Sequence, residues 1–172
     1  MGGVGGHVGV PHVEGIGGLQ IQETFIVDAP PASVWKFFED IERVARCVPG
    51  VESVDVLGPD RYKVVASQKV GFITATFEMA TQIESKDPLK SLALSSVGKS
   101  VKGAIGNLRS KDRVDFEATP EGGTRVTLTS EVAVGGMLGA LGHKAIVSTS
   151  KEVTEKFAQA LQAELQAGEA GR

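Results

Sequence analysis

Residues 124–165 read TRVTLTSEVAVGGMLGALGHKAIVSTSKEVTEKFAQALQAEL, and two hydrophobic periods meet inside them. From Thr124 to Val134, the apolar Val126, Leu128, Val132 and Val134 alternate with Arg125, Thr127, Thr129 and Glu131. That is the period of a strand with one dry and one wet face. From about Leu141 to Ala167 the pattern changes. Ile146, Val153, Phe157, Leu161 and Leu165 recur at spacings of four and seven, one apolar stripe of a long helix, with Lys144, Lys151, Glu155 and Lys156 on its other faces. A one-faced strand and a one-striped helix each need a cover, and each can cover the other.

The segments upstream supply the rest of the sheet. Leu19, Ile21, Phe25 and Val27 alternate with Gln20, Gln22, Thr24 and Asp28 until Pro30-Pro31 ends the strand. Pro31 suits the first turn of a helix over Ala32–Glu39 that buries Val34, Trp35 and Phe38. A second short helix, Ile41–Arg46, stops before Pro49-Gly50. Strands follow at Val51–Leu57, Arg61–Val70, Phe72–Ser85, Leu92–Val97, Ala104–Thr119 and Thr124–Val134, punctuated by Gly58-Pro59-Asp60, Asp87-Pro88 and Pro120-Glu121-Gly122-Gly123. The order β-αα-β6-α with one apolar sheet face predicts an α+β fold. In it, a curved seven-stranded antiparallel sheet wraps a long carboxy-terminal helix. The inward positions Ala66, Ala75, Gly106 and Ala118 are small. A packed interior needs near-crystalline density, so a cavity beneath the helix is expected.

Composition narrows the function classes. The chain has 172 residues, one domain's worth, and a formal charge of −3 with aromatic residues at 5%. Neither a basic field nor a base-stacking platform is present, which disfavours nucleic acid as a partner. The single cysteine, Cys47, fits a reducing compartment, and no secretory signal or membrane-spanning run is visible. The expected setting is the cytoplasm. Residues 1–18, with eight glycines, read as a disordered leader, residues 19–167 as the folded domain and 168–172 as a tail. His7 and His12 on that tether do not make a metal site, and no cofactor is expected.

Val34-Trp35-Lys36-Phe37-Phe38-Glu39-Asp40, followed by Val44-Ala45-Arg46-Cys47-Val48-Pro49-Gly50, resembles the family of the carbon monoxide dehydrogenase subunit CoxG. That family belongs to the START-like, Bet v 1-like (SRPBCC) superfamily of helix-grip folds. Ala29-Pro30, Lys69-Val70-Gly71 and Gly123-Thr124-Arg125-Val126 also look like the family pattern, and the likeness spans roughly Leu19–Leu165. Where a proline often follows the valine-glycine pair, this chain has Phe72. Longer relatives carry a carboxy-terminal membrane-attaching extension, which is not expected of a sequence that stops at Arg172. The resemblance implies a hydrophobic-ligand-binding or adaptor protein rather than an enzyme, with a lipid or quinone-like molecule as guest. Its implied partner is a molybdenum hydroxylase of the carbon monoxide dehydrogenase type, which it would help to mature or recruit to the inner face of the membrane by peripheral contact. No catalytic residue set transfers with it.

Four polar residues fall on inward positions: Glu23, Gln68, Ser110 and Asp112. Burial would raise the carboxyl pKa values of Glu23 and Asp112 toward those useful in general acid–base chemistry. That makes a polyketide cyclase/dehydratase-like enzyme the alternative reading, against inert polar groups at a wet cavity mouth. Glu23, Gln68 and Asp112, with Phe25, Phe77, Met79, Leu108, Leu128, Val153 and Phe157, frame the candidate pocket. The link Gly135–Gly142 admits two readings, a tight connection or a gate whose apolar lip is Met137, Leu138 and Leu141; its length favours the gate. Cys47 reads as a buried structural thiol, because the only histidine in the folded part, His143, begins the far helix. A third reading fills the interior with side chains and assigns function to the outer sheet face.

Overall fold

The computed structural model describes residues 18–170, so the expected leader, Gly18 excepted, and the last two residues of the expected tail lie outside it. The elements in order are β1 (Leu19–Val27), α1 (Pro31–Phe38), α2 (Ile41–Cys47), β2 (Val51–Gly58), β3 (Arg61–Val70), β4 (Ile73–Asp87), β5 (Ser91–Gly103), β6 (Gly106–Ala118) and β7 (Thr124–Gly136). A turn of 3-10 helix at Gly139–Leu141 then leads into α3 (His143–Ala170). The strands form one sheet in the order β1-β7-β6-β5-β4-β3-β2, every neighbouring pair antiparallel. This is the helix-grip arrangement that the alternation predicts.

Two differences from the sequence reading have physical causes. The strand expected at Leu92–Val97 runs on to Gly103. Its inward positions beyond Leu94 are Ser96, Gly98 and Ser100, so no apolar signal marks the face, yet the ladders to β4 and β6 continue. Ala118, expected on the inner face, ends β6 in solvent, while Ala66, Ala75 and Gly106 are buried. Register shifts between Thr76 and Phe77 and between Ile83 and Ser85 on β4 mark bulges, which bend the paired strands.

The interior has two unequal parts. One end is packed with aromatic rings in edge-to-face contact: Phe38 on Phe116 at 5.0 Å, Trp35 on Phe116 at 5.7 Å, and Phe157 against Phe25 at 6.1 Å and Phe38 at 6.2 Å. Here α1 delivers Val34, Trp35, Phe37 and Phe38, and α3 delivers the fully buried Leu161 with Phe157 and Leu165. The other end holds only a small cluster of Ala75, Phe77 and Leu138 with half-buried aliphatic neighbours. Cys47 is buried in the larger cluster, and burial pushes its thiol pKa up, which suits a packing role over a nucleophilic one. Outside the core, Arg43 stacks over Phe37 at 4.7 Å and pairs with Glu164 at 3.1 Å, tying α2 to α3.

The crossover from β1 to α1 is pinned from the neighbouring strand, β7. Thr124 is fully buried, and its Oγ1 donates to the Ala29 carbonyl at 2.7 Å, just before the Pro30-Pro31 start of α1. Thr124→Val keeps the shape and orphans that carbonyl, so denaturant unfolding should show a loss of about 1–3 kcal/mol. Thr124→Ser keeps the donor and should recover most of it. Equal stability of the valine variant and the parent would mean the bond contributes nothing.

Candidate functional site

Where the aromatic packing stops, a chamber of about 400 Å³ begins, open to solvent on one side. Its wall comes from the inner faces of β3 to β7 and β1, with α2 on one side and the first turns of α3 above. The residues that set its width are Ala66, Phe77, Met79, Leu108 and Leu138. Gly98 contributes by what it lacks: a Cβ there would sit 2.6 Å from Met79 Cγ. The volume falls within the ~300–1,000 Å³ typical of small-molecule sites. A second chamber of about 210 Å³ adjoins it toward the aromatic end, and Ile41, Val44, Val48, Leu94 and Ser130 line both.

The larger chamber is dry in character because its polar side chains are already engaged by protein. Gln68 Nε2 donates to the Pro49 carbonyl at 2.6 Å. The Thr81 and Ser96 hydroxyls share a bond of 2.8 Å. Ser130 Oγ donates to Asp112 at 2.6 Å, Ser150 Oγ to Glu23 at 3.3 Å and Thr149 Oγ1 to the Lys69 carbonyl at 3.4 Å. With those groups turned to protein partners, the wall presents mainly methyl and methylene groups to any occupant.

The structure sorts the residues singled out from sequence into three groups. Gln68, Phe77, Met79, Leu108 and Leu138 line the large chamber. Asp112, Leu128, Val153 and Phe157 line the small one. Glu23, Phe25, Met137 and Leu141 line neither. Glu23 is held under α3 by Ser150, Phe25 packs on Phe157, and Leu141 packs against the small cluster around Leu138. The expected lip is divided: Leu138 is tucked inside, whereas Met137 stands 56% exposed. Its cause is local. Gly136 takes φ +73°, and a Cβ there would meet Gly106 Cα and the Ile105 carbonyl oxygen at 2.8 Å, so two glycines in contact let the chain fold over and drop Leu138 inward.

The two inward carboxylates therefore sit in different surroundings, Glu23 between β1 and α3 and Asp112 at the small chamber. Asp112 accepts from Ser110 at 2.9 Å and from Ser130 at 2.6 Å. Removal from water raises its pKa above the ordinary 3.8, and the two serine donors oppose that rise without cancelling it. Among the described residues, no cluster of three or more His, Cys, Asp or Glu side chains is placed to hold a metal ion. Sequence reasoning missed the contribution of α2 and its end, where Ile41, Val44, Ala45 and the capping Val48 form one side of the large chamber. The spacing of Ile41, Val44 and Val48 by three and four was the available signal.

Comparison with known proteins agrees with this architecture. No protein with a curated description matches the sequence. Among solved structures, a conserved protein from Geobacillus kaustophilus superposes with a TM-score of 0.79 at 19% identity, over 87% of this chain and 96% of that one. The Zhui aromatase/cyclase from Streptomyces sp. R1128 gives 0.64 at 16% identity, over 87% and 94% of the two chains. A START superfamily protein from Mycobacterium smegmatis gives 0.63 at 12% identity, over 86% and 97%. At these identities the likeness establishes the START-like fold. The family model for the carbon monoxide dehydrogenase subunit CoxG matches residues 24–166, nearly all of the sheet and its gripped helix, and the chain belongs to the CoxG family.

Proposed function

We propose that this protein is a carrier or adaptor that holds an apolar molecule, of lipid or quinone-like character, in the large chamber beneath α3. The observation that carries this reading is a wall of aliphatic side chains around about 400 Å³ whose polar groups already have partners. Burying apolar surface there gains ~25 cal/mol per Å², with few unsatisfied polar atoms to offset it. Membership of the CoxG family supports a further step, in which the loaded protein assists maturation or membrane recruitment of a molybdenum hydroxylase of the carbon monoxide dehydrogenase type.

A second reading has its own support. The Asp112 carboxyl, flanked by two serine hydroxyls at the small chamber, could exchange a proton with a bound molecule, as a cyclase or dehydratase requires. Glu23 lines neither chamber and is engaged by Ser150, so in this reading Asp112 acts without it. Turnover lost in D112N with guest binding retained would favour the enzyme. Binding unchanged and no turnover in either protein would favour the carrier.

Native mass spectrometry of gently purified protein should show a co-purifying or exchangeable lipid or quinone. A chain that never carries or accepts one defeats the carrier reading, and failure to co-purify with any hydroxylase defeats the adaptor step. Narrowing the chamber with Ala66→Leu and Val134→Phe should weaken guest uptake roughly tenfold or more, since each displaced methylene contact is worth ~0.8 kcal/mol. The sheet should survive, and the thermal midpoint should hold or rise.

Asp112 also sets a pH dependence. Below 3.8 both the folded and the unfolded chain hold its proton. Above that, the folded chain keeps the proton longer, so the stability tied to it falls as pH rises through the folded value. D112N has no proton to lose. Its stability relative to the parent should therefore grow from mildly acidic to neutral pH in paired denaturant titrations. A difference independent of pH would show that Asp112 is not strained by burial.

A further inference from the structure

The chamber end of the barrel has an unusual surface. The β3–β4 turn carries Phe72, 87% exposed, and the β5–β6 turn carries Ile105, 73% exposed. Met137, just past β7, is also exposed, and Val101 and Val147 stand exposed on the strand and helix that lead into the rim. The hydrogen bonds put Phe72, Ile105 and Met137 on one rim. Ala104 N donates to the Thr74 carbonyl at 3.4 Å, joining the β5–β6 turn to the start of β4. Met137 N donates to the Ile105 carbonyl at 2.9 Å. Thr149 of α3 donates to the Lys69 carbonyl, one residue before the end of β3, so the first turns of α3 close the same rim. Val70, Leu138 and Ile146 line the chamber at this end.

Charge follows the same geography. The three segments that build the rim, residues 67–77, 98–111 and 132–151, contain no Asp or Glu. They do contain the exposed Lys69, Lys102 and Lys144, none of which forms an ion pair among the described residues. Glu52, which accepts from Ser67 Oγ at 2.7 Å, and Glu78 mark where acids resume along the wall. Hairpin ends on the opposite side carry Asp60, Asp87 and Glu121 together with Lys86 and Lys90, and Lys86 pairs with Asp60 at 3.0 Å. In a chain of net charge −3, the chamber end thus carries unpaired cations with no acid in its rim segments, whereas the far end mixes both signs in ion pairs.

We propose that this rim is a docking surface for an anionic lipid bilayer, with Phe72, Ile105 and Met137 inserting at headgroup depth and Lys69, Lys102 and Lys144 contacting lipid phosphates. Isolated apolar side chains are ordinary on a surface; three on separate chain segments, at one rim and ringed by unpaired lysines, match an interfacial anchor. Long lysine stems can reach outward to the phosphates while their methylenes lie against the lipid. Docking through this rim turns the mouth of the chamber toward the membrane. The carrier reading supplies the purpose of such docking, transfer of an apolar guest without exposure to water. Docking itself stands on the rim alone.

Flotation of the full chain with phosphatidylcholine vesicles, with and without a phosphatidylglycerol fraction, tests this. Binding should need the anionic lipid and fall with added salt. Each of Lys69→Gln, Lys102→Gln and Lys144→Gln should weaken it on the order of fivefold. The double change Phe72→Ser with Ile105→Ser should abolish it, at unchanged thermal midpoint, because both side chains are already in solvent. No flotation with anionic vesicles overturns the proposal, as does flotation unaffected by these substitutions. Loss of self-association in place of vesicle binding also overturns it, and assigns the rim to a second copy of the chain. Uptake of the apolar probe N-phenylnaphthylamine in vesicle-free solution separates the two readings. Vesicle binding without probe uptake retains docking and removes the carrier, and probe uptake by the Phe72/Ile105 variant retains the carrier whatever the vesicles show.

Discussion

The edge-to-face seating of Phe157 among Phe25 and Phe38, with Phe116 and Trp35 behind them, is the contact on which the rest of the molecule depends. The chain has nine aromatic residues, seven Phe, one Trp and one Tyr, and it gathers Phe25, Trp35, Phe37, Phe38, Phe116 and Phe157 at one end. Each ring pair contributes ~0.5–1.5 kcal/mol beyond its buried area. Together they fix the carboxy-terminal half of α3 on the sheet, helped by Gln162, which accepts from the Asp28 N–H at 2.7 Å. Because that half is held so firmly, the other half need not be. Along α3 the stripe passes from Phe157, Leu161 and Leu165, all buried, to Ile146, Thr149 and Ser150, which roof the chamber. A cavity costs stability, and the aromatic end offsets that cost.

How much of this is legible in the sequence depends on whether a residue's partner is implied by periodicity. On β1, β3, β4 and β7 most inward positions are apolar, with single polar breaks at Glu23, Gln68, Thr81 and Ser130, so period two yields both the strand and its face. The stripe of α3 is equally plain. Sequence pattern ends β5 too early because Ser96, Gly98 and Ser100 carry no hydrophobic signal. Ladder bonds to two neighbours extend it, and those are properties of the sheet rather than of the segment. Alternation alone places Gln68 and Asp112 inward, correctly. Whether they face a guest or a neighbour depends on Pro49 and Ser130, which are 19 and 18 residues away. Met137 and Leu138 differ by one position and have opposite fates, because the close approach of Gly106 and Gly136 decides which of them turns inward. No local pattern encodes that contact.

The chemistry of the chamber follows from satisfied hydrogen bonds as much as from apolar side chains. A wall with free hydroxyls would recognise a polar guest and reject one lacking it. Here Thr81 and Ser96 satisfy one another across β4 and β5, and Gln68 is spent on the α2–β2 connection. Such a wall discriminates by shape and volume. The aromatase/cyclase among the structural neighbours shows that the same architecture can accompany catalysis in another protein, while the polar equipment of this chain is concentrated at Asp112.

The position of α2 has a consequence for how this interior can diverge. Ile41 and Val44 of α2, with Val48 just past its end, line both chambers, and the segment that carries them belongs to no strand ladder. Substitutions there would resize both compartments together while every sheet hydrogen bond stays in place. Merging the compartments, or sealing one from the other, is thus a matter of a few methyl groups on a seven-residue helix and its cap. Lineages that share the wall could part company in what they carry by editing that segment alone.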